Sequence, residues 1–350
     1  MPFIAGVSTI DFPYKVAQEE VKLKAREMFS ENFPLGERLI SAFDNAGIQT
    51  RNFCKPLTYY SAANSFEERN NEYIRCAVEY ATKAIGECTM LAGISTKDIT
   101  DIIVVSTTGL ATPSIDALII NNLKLNPRIN RMPVWGLGCA AGVSGIAKAD
   151  VVAKANPGAV VLLVAVELCS LTILKNDYSK SNFIGSSLFS DGIAACIVKG
   201  DHHSNDGQVC LGGSACKLYY HTLDMMGWEF KDKGFKVVFS KDIPYFINCY
   251  IKEDILDFIG GYGLTLKDIK NFVFHPGGKK VLSAYSDALV VEGDFLKKTR
   301  ETMGDYGNMS SATVLYVLKK FMDQGFEKGY GLMLAMGPGF SSEMVLLNSL

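Results

Sequence analysis

Two short stretches of the chain, residues 102–105 and 160–166, are apolar at every position and end at turn residues. Strands without polar alternation are covered on both faces, so both stretches predict buried strands in a sheet flanked by helices. Longer-period apolar patterns predict helices over residues 71–92 and 140–155. Strand and helix alternate along the chain, which places it in the α/β class.

The pattern also repeats. Gly93-Ile94-Ser95-Thr96-Lys97-Asp98-Ile99 returns as Gly263-Leu264-Thr265-Leu266-Lys267-Asp268-Ile269, and Leu162-Leu163-Val164-Ala165 returns as Leu332-Met333-Leu334-Ala335, both at an offset of 170 residues. Two separate segments sharing one offset predict a duplicated fold. Its halves are residues 1–200 and 201–350, joined through a polar, glycine-containing connector over residues 200–218. At the same offset Gly138 falls opposite Asn308, Cys139 opposite Met309 and Val105 opposite His275. A pseudo-two-fold axis between the halves would bring together the starts of two small-residue helices, Ala140-Ala141-Gly142 and Ser310-Ser311-Ala312. Cys139, His275 and Asn308 would then converge.

Composition narrows the classes. With 48% hydrophobic and 21% charged residues the chain can bury a large core, which excludes a disordered protein. Lys plus Arg number 35 against 37 Asp plus Glu, with no long basic run, so nucleic acid is not an expected partner. The nine cysteines form no CxxC pair and no Cys/His cluster at zinc spacing, so neither a disulfide framework nor a metal site is expected. Met1-Pro2-Phe3-Ile4 lacks the basic region of a signal peptide. Apolar runs such as residues 159–166 fall far short of the roughly 18 residues of a membrane helix. These features predict a reduced, cytoplasmic protein without a membrane span.

Three residues stand out for chemistry. Cys139 sits in Trp135-Gly136-Leu137-Gly138-Cys139-Ala140-Ala141-Gly142, where a glycine-rich bend opens a helix. Peptide dipoles at a helix start favour the thiolate, although a free cysteine is also a common small core residue. His275 follows an apolar strand and precedes Pro276-Gly277-Gly278. That is the carboxyl end of a strand, where open α/β sheets keep their sites, and a cysteine–histidine pair can generate a nucleophile. A half-buried, hydrogen-bonded imidazole is the alternative. His202 and His203 fall in the connector, and His221 reads as structural. Asn308, in Gly307-Asn308-Met309-Ser310-Ser311-Ala312, reads either as a helix N-cap or as an amide donor to a developing oxyanion. Met336-Gly337-Pro338-Gly339-Phe340 suits a tight turn or close approach of backbone to a ligand. No GxGxxG opens a helix, so a nicotinamide cofactor is not supported.

Gly138-Cys139-Ala140-Ala141-Gly142, His275-Pro276-Gly277-Gly278 and Gly307-Asn308-Met309-Ser310-Ser311-Ala312 resemble the three catalytic motifs of the type III polyketide synthases. These are the chalcone-synthase-like branch of the thiolase superfamily. The likeness runs to Gly337-Pro338-Gly339-Phe340, and Ser106-Thr107-Thr108-Gly109 looks more like the bacterial alkylpyrone synthases than the plant enzymes. The resemblance implies a thiolase-like five-layer αβαβα fold, a homodimer, and iterative condensation of malonyl-CoA onto an acyl-CoA starter. No metal or organic cofactor is implied. Cys139 would accept the starter, and His275 with Asn308 would hold the thioester oxygen and the enolate left by decarboxylation.

The same resemblance makes Phe189 a gatekeeper and Thr172 and Ser310 cavity residues, with Gly277 and Gly278 beside the coenzyme A. Val237 stands where plant enzymes carry a second gatekeeper phenylalanine. Trp228 replaces a cavity glycine, and Thr112 replaces a methionine that enters the partner's cavity. Arg38 matches one basic coenzyme A position, while Ser41 and Asn45 occupy the other two. Lys279 and Lys280 read as a solvated basic pair. Val237 and Thr112 favour a fatty acyl starter released as an alkylpyrone or a resorcinol, and the bulk of Trp228 opposes it. The rival readings are a ketoacyl-ACP synthase III-like single condensation, disfavoured by Pro276-Gly277-Gly278 after the histidine, an acyl-CoA hydrolase, and a non-catalytic acyl-CoA binder.

Overall fold

The computed structural model describes residues 1–29, 36–175, 177–205 and 207–349, with the side chains of residues 36–38 outside that description. Both apolar stretches are strands. Asp101–Ser106 and Val160–Leu168 are buried at every position. The helix expected from residue 71 starts earlier, as Phe66–Leu91, because Ser65 and Glu68 form a capping box ahead of the apolar pattern. The other helix is Ala141–Ala155.

Among the described residues, nine strands form one sheet in the order Ile269–Phe274, Gly329–Gly337, Ser341–Ser349, Val209–Leu218, Phe3–Thr9, Asp191–Lys199, Val160–Leu168, Asp101–Ser106 and Asn130–Trp135. The middle of this order is its weak seam. Phe3–Thr9 and Val209–Leu218 meet only through the pairs Phe3↔Cys210 and Ile4↔Val209. On each side of the seam, four strands follow one plan. Asp101–Ser106 pairs parallel with Val160–Leu168, which pairs antiparallel with Asp191–Lys199, which pairs antiparallel with Phe3–Thr9. Ile269–Phe274, Gly329–Gly337, Ser341–Ser349 and Val209–Leu218 repeat that sequence of directions.

Side-chain alternation shows how the layers stack. Val161, Leu163 and Ala165 share one core with Met333 and Ala335, and with Val143 and Ile146 of Ala141–Ala155 and Val314 and Leu315 of Ser311–Gln324. Leu162, Val164 and Val166 face the opposite way, against Ala77 and Ala84 of Phe66–Leu91. Leu332 and Leu334 face a third core, against Ile251 and Ile255 of Ile243–Gly260 and Leu282 of Lys279–Leu289. The result is helix, sheet, a shared pair of helices, sheet and helix, the five-layer thiolase-like arrangement.

One expectation is corrected. The connector is confined to residues 200–208, since Val209–Leu218 is a ten-residue strand. Its Gly212 and Gly213 read as turn residues, yet they lie where neighbours crowd the backbone: a Cβ on Gly212 would come 3.1 Å from Leu346 Cδ2, and one on Gly213 would overlap the Tyr262 hydroxyl. No helix among the described residues is long and apolar enough to cross a membrane.

Candidate active site

The two small-residue helices start against each other. A Cβ on Gly142 would collide with the Ser311 carbonyl oxygen and come 2.6 Å from Val314 Cγ1, so only glycine permits this approach. Cys139 lies just upstream, in a single 3-10 turn over Gly138–Ala140. Gly138 holds the left-handed φ of 48°, and a Cβ there would meet Pro338 Cδ at 2.6 Å. The Met336–Phe340 segment thus closes over the cysteine. Cys139 Sγ lies 3.7 Å from Ser310 Oγ, and the residue is only 6% exposed.

Ser310 leads to the other two residues. Its backbone N–H donates to Asn308 Oδ1 at 2.9 Å, while Asn308 Nδ2 donates to the Gly277 carbonyl at 3.0 Å. With an N–H on one end and a carbonyl on the other, the amide has one orientation. Its second N–H has no partner within that pair of contacts. Asn308 is not the helix cap; Ser310 holds that position. His275 extends strand Ile269–Phe274 and donates its backbone N–H to the Leu334 carbonyl at 2.8 Å. The side chain is buried, and neither ring nitrogen has a hydrogen-bond partner among the described residues. The chain Cys139–Ser310–Asn308–Gly277 therefore joins the three sequence motifs in one buried site.

Burial sets the charge state. It pushes the Cys139 thiol up to about 12, with the Ser310 contact acting the other way, and pulls the His275 imidazole down to about 3. Desolvation thus outweighs the helix dipole that the sequence pattern brought to the fore, and both groups rest neutral at neutral pH. Glu167 is a second buried group. Burial pushes its carboxyl up to about 7, while Ser311, Thr107 and Thr108 donate to it and act the other way. Ser311 Oγ reaches Oε1 at 2.6 Å, and the Thr107 and Thr108 hydroxyls each lie at 3.0 Å. Its charge opposes ionisation of Cys139.

Phe189 is buried in a group with Cys169 and Val237, against which Trp228 and Phe239 pack. The Phe189 ring lies 6.1 Å from Trp228 and 5.6 Å from Phe239 between centroids. Val237 and Trp228 sit directly opposite on the hairpin of Met226–Lys231 and Gly234–Phe239, so the indole fills space beside the smaller valine. Thr172 is buried and donates its hydroxyl to the Cys169 carbonyl at 2.7 Å. Gly277 takes a φ of 59°, while Gly278 is buried at the start of helix Lys279–Leu289. Thr112 is exposed, unlike the group around Phe189. The Arg38 side chain lies outside the described residues. Sequence reasoning passed over Glu167, Cys169 and Phe239, and took Thr107 and Thr108 only as part of the family-like stretch Ser106-Thr107-Thr108-Gly109. Glu167 carried a signal, as the one charged residue in the buried strand Val160–Leu168.

Residues 55–202 match the family model described as "Chalcone and stilbene synthases, N-terminal domain", and residues 214–350 match its C-terminal counterpart. The chain belongs to the chalcone and stilbene synthase family: it is a type III polyketide synthase, an acyltransferase that uses acyl-CoA and malonyl-CoA. A Bacillus subtilis (strain 168) protein with a provisional chalcone synthase name is 41% identical, with 99% of each chain covered. The 1,3,6,8-tetrahydroxynaphthalene synthase of Streptomyces peucetius subsp. caesius is 32% identical, covering 98% of this chain and 92% of the relative. The crystal structure of 1,3,6,8-tetrahydroxynaphthalene synthase from Streptomyces coelicolor A3(2) superposes with a TM-score of 0.94 at 30% identity, covering 99% of both chains.

Proposed function

We propose that Cys139, His275 and Asn308 carry out the condensation and that the product is an alkylpyrone or a resorcinol built on a fatty acyl starter. The observation that carries the catalytic assignment is the pair of unpartnered ring nitrogens on buried His275. Leaving such a group unsatisfied costs about 1–3 kcal/mol, which substrate contacts would offset.

In loading, the Cys139 proton passes to His275 as sulfur attacks the acyl-CoA carbonyl. The coenzyme A sulfur then leaves and takes a proton from His275. Both partners rest neutral, so charge forms only in the encounter with the thioester, where each ion faces the other. In extension, malonyl-CoA releases carbon dioxide and leaves the enolate of acetyl-CoA. A ring N–H of His275 and the free N–H of Asn308 hold its oxygen while its carbon attacks the acyl-cysteine and expels the thiolate. Donors fixed in a dry site are the largest stabilisation available to such an anion. Asn308 suits the task because its other N–H is anchored on Gly277. This chemistry needs no cofactor beyond the two thioesters.

The apolar wall of Phe189, Val237, Trp228 and Phe239 supports a hydrocarbon starter, with Trp228 limiting its length. By the resemblance alone, Thr172 and Ser310 would line the cavity and Gly277, Gly278 and Arg38 would meet the coenzyme A. A homodimer is supported by the sheet edge Asn130–Trp135, largely exposed, which carries exposed Met132 and Trp135, the indole N–H of the latter donating to the Gly109 carbonyl at 3.0 Å. A cytoplasmic location agrees with nine unpaired cysteines. The test is incubation with labelled malonyl-CoA and acyl-CoAs of graded length. Labelled pyrones or resorcinols from fatty starters support the reading; products from malonyl-CoA alone, or a preference for short aromatic starters, overturn the starter assignment.

A further inference from the structure

Arg51 is fully buried, although nothing in the reaction above uses it. It lies in the short strand Thr50–Phe53, with its guanidinium carbon 5.7 Å and 5.3 Å from the ring centroids of Phe43 and Phe53. The nearby carboxylate of Asp191 is taken up by Cys54 N–H at 2.7 Å and by the Ser170 N–H and hydroxyl at 2.8 and 2.6 Å. Arg51 instead spends one nitrogen, Nη1, on two carbonyl oxygens, those of Ser186 at 2.6 Å and Phe189 at 2.8 Å. Its Nε and Nη2 find no partner among the described residues. A buried cation held this sparsely is costly, and an apolar side chain of similar volume would pack the same space at lower cost.

What those two carbonyls belong to explains the expense. Ser186 lies in the last turn of helix Lys180–Leu188, and Phe189 is its C-cap. Phe189 in turn forms a parallel bridge with Asn308. The Asn308 N–H donates to the Leu188 carbonyl at 2.9 Å, and the Ser190 N–H donates to the Asn308 carbonyl at 2.9 Å. The Arg51 stem also underlies the turn before the asparagine, since a Cβ on Gly307 would come 3.0 Å from Arg51 Cγ. Arg51 thus touches both strands of the bridge.

We propose that Arg51 is a positioning residue for the polyketide synthase reaction: by fixing the Ser186–Ser190 backbone it sets the place of the Asn308 amide against the enolate oxygen. The proposal rests on the catalytic reading of Asn308 given above. A lysine at this position keeps the charge but lacks the rigid guanidinium plane that fixes where the two Nη1 hydrogens point. Misplacement of a donor by about 1 Å can cost on the order of a hundredfold in rate.

The experiment measures malonyl-CoA decarboxylation by Arg51→Lys and Arg51→Gln, each alone and combined with Asn308→Ala, with rates normalised to alkylatable Cys139 so that loss of folded protein is removed. The expected result is a fall in kcat of about tenfold or more with KM changed less than about threefold. In the Asn308→Ala background the same Arg51 substitutions should change the rate by less than about twofold, because the group they position is gone. An equal fall in both backgrounds, or an unchanged kcat, overturns the positioning role. Failure of the underlying reading looks different: Asn308→Ala alone would then decarboxylate malonyl-CoA at the parental rate, and the Arg51 proposal would fall with it.

Discussion

The side-chain amide of Asn308 donates to the carbonyl oxygen of Gly277 at 3.0 Å, tying the asparagine turn to the histidine turn across 31 residues of sequence. Because Ser310 N–H holds the other end of the same amide, the asparagine is fixed by the backbone of two separate motifs. Cys139 reaches this pair from the other half of the chain, with its Sγ 3.7 Å from Ser310 Oγ, so the site also depends on how closely the two halves approach, and the residues that set that approach are as open to test as the reacting ones.

Gly142 is the first of them. A methyl group there meets the Ser311 carbonyl, which belongs to a helix and has no freedom to move aside. Gly142→Ala should destabilise the protein by about 1–3 kcal/mol, and Gly142→Val by more. Urea denaturation followed by circular dichroism measures this. Unchanged midpoints would show that the helix pair tolerates wider spacing.

His275 should leave a mark on acid stability. Folded, its imidazole stays neutral down to about pH 3; its ordinary value is 6.5. As pH falls from 6.5 towards 3, the unfolded chain binds a proton that the folded chain refuses, so stability is lost over that window and is fully present above it. His275→Gln removes the group. The parent's urea midpoint should fall more steeply than the variant's on going from about pH 7 to about pH 5, and equal slopes would count against a desolvated imidazole.

Glu167 carries the opposite sign. Burial raises its carboxyl from 4.5 to about 7, so the unfolded chain releases the proton first as pH rises. Its contribution is present below 4.5 and lost as pH climbs through 7. Glu167→Gln keeps the shape without the charge, and the Ser311 and threonine hydroxyls can rotate to accept from its amide. The variant should gain on the parent as pH rises across this window, read as the difference in urea midpoint. A pH-independent difference would place the ionisation elsewhere.

Much of the architecture was open to reading because its strongest signals are local. All-apolar strands such as Val160–Leu168 and the paired 170-residue repeats need no knowledge of neighbours. Cys139, His275 and Asn308 stood out through flanking glycines and proline, which crowding explains at Gly138 and Gly142. Other features depend on partners far away in sequence. Gly212 and Gly213 resemble a turn until Leu346 and Tyr262 are placed against them, and nothing in the polar run Thr50-Arg51-Asn52 singles out Arg51, whose burial comes from Phe43, Phe53 and the distant Ser186 carbonyl. The neutral state of Cys139 likewise follows from burial by layers that local sequence does not reveal.

Trp228 offers a test of substrate choice. Its ring packs on Phe189 and stands opposite Val237, so removing it should open the apolar wall. Trp228→Gly should raise the ratio of long-chain to short-chain kcat/KM by about tenfold or more, the scale expected when a pocket gains room for apolar groups. Competition between acyl-CoAs, with products resolved by mass spectrometry, gives this ratio directly. An unchanged ratio would move the length determinant away from Trp228.

The central claim is that Cys139 is the residue acylated in this site, and the most direct measurement is to expose the protein to a fatty acyl-CoA without malonyl-CoA, quench, digest and locate the added mass. The account predicts one acyl group on the peptide containing Cys139, absent in Cys139→Ala and strongly reduced in His275→Ala. An acyl group on any of the other eight cysteines, or none on a protein that still forms product, would contradict it.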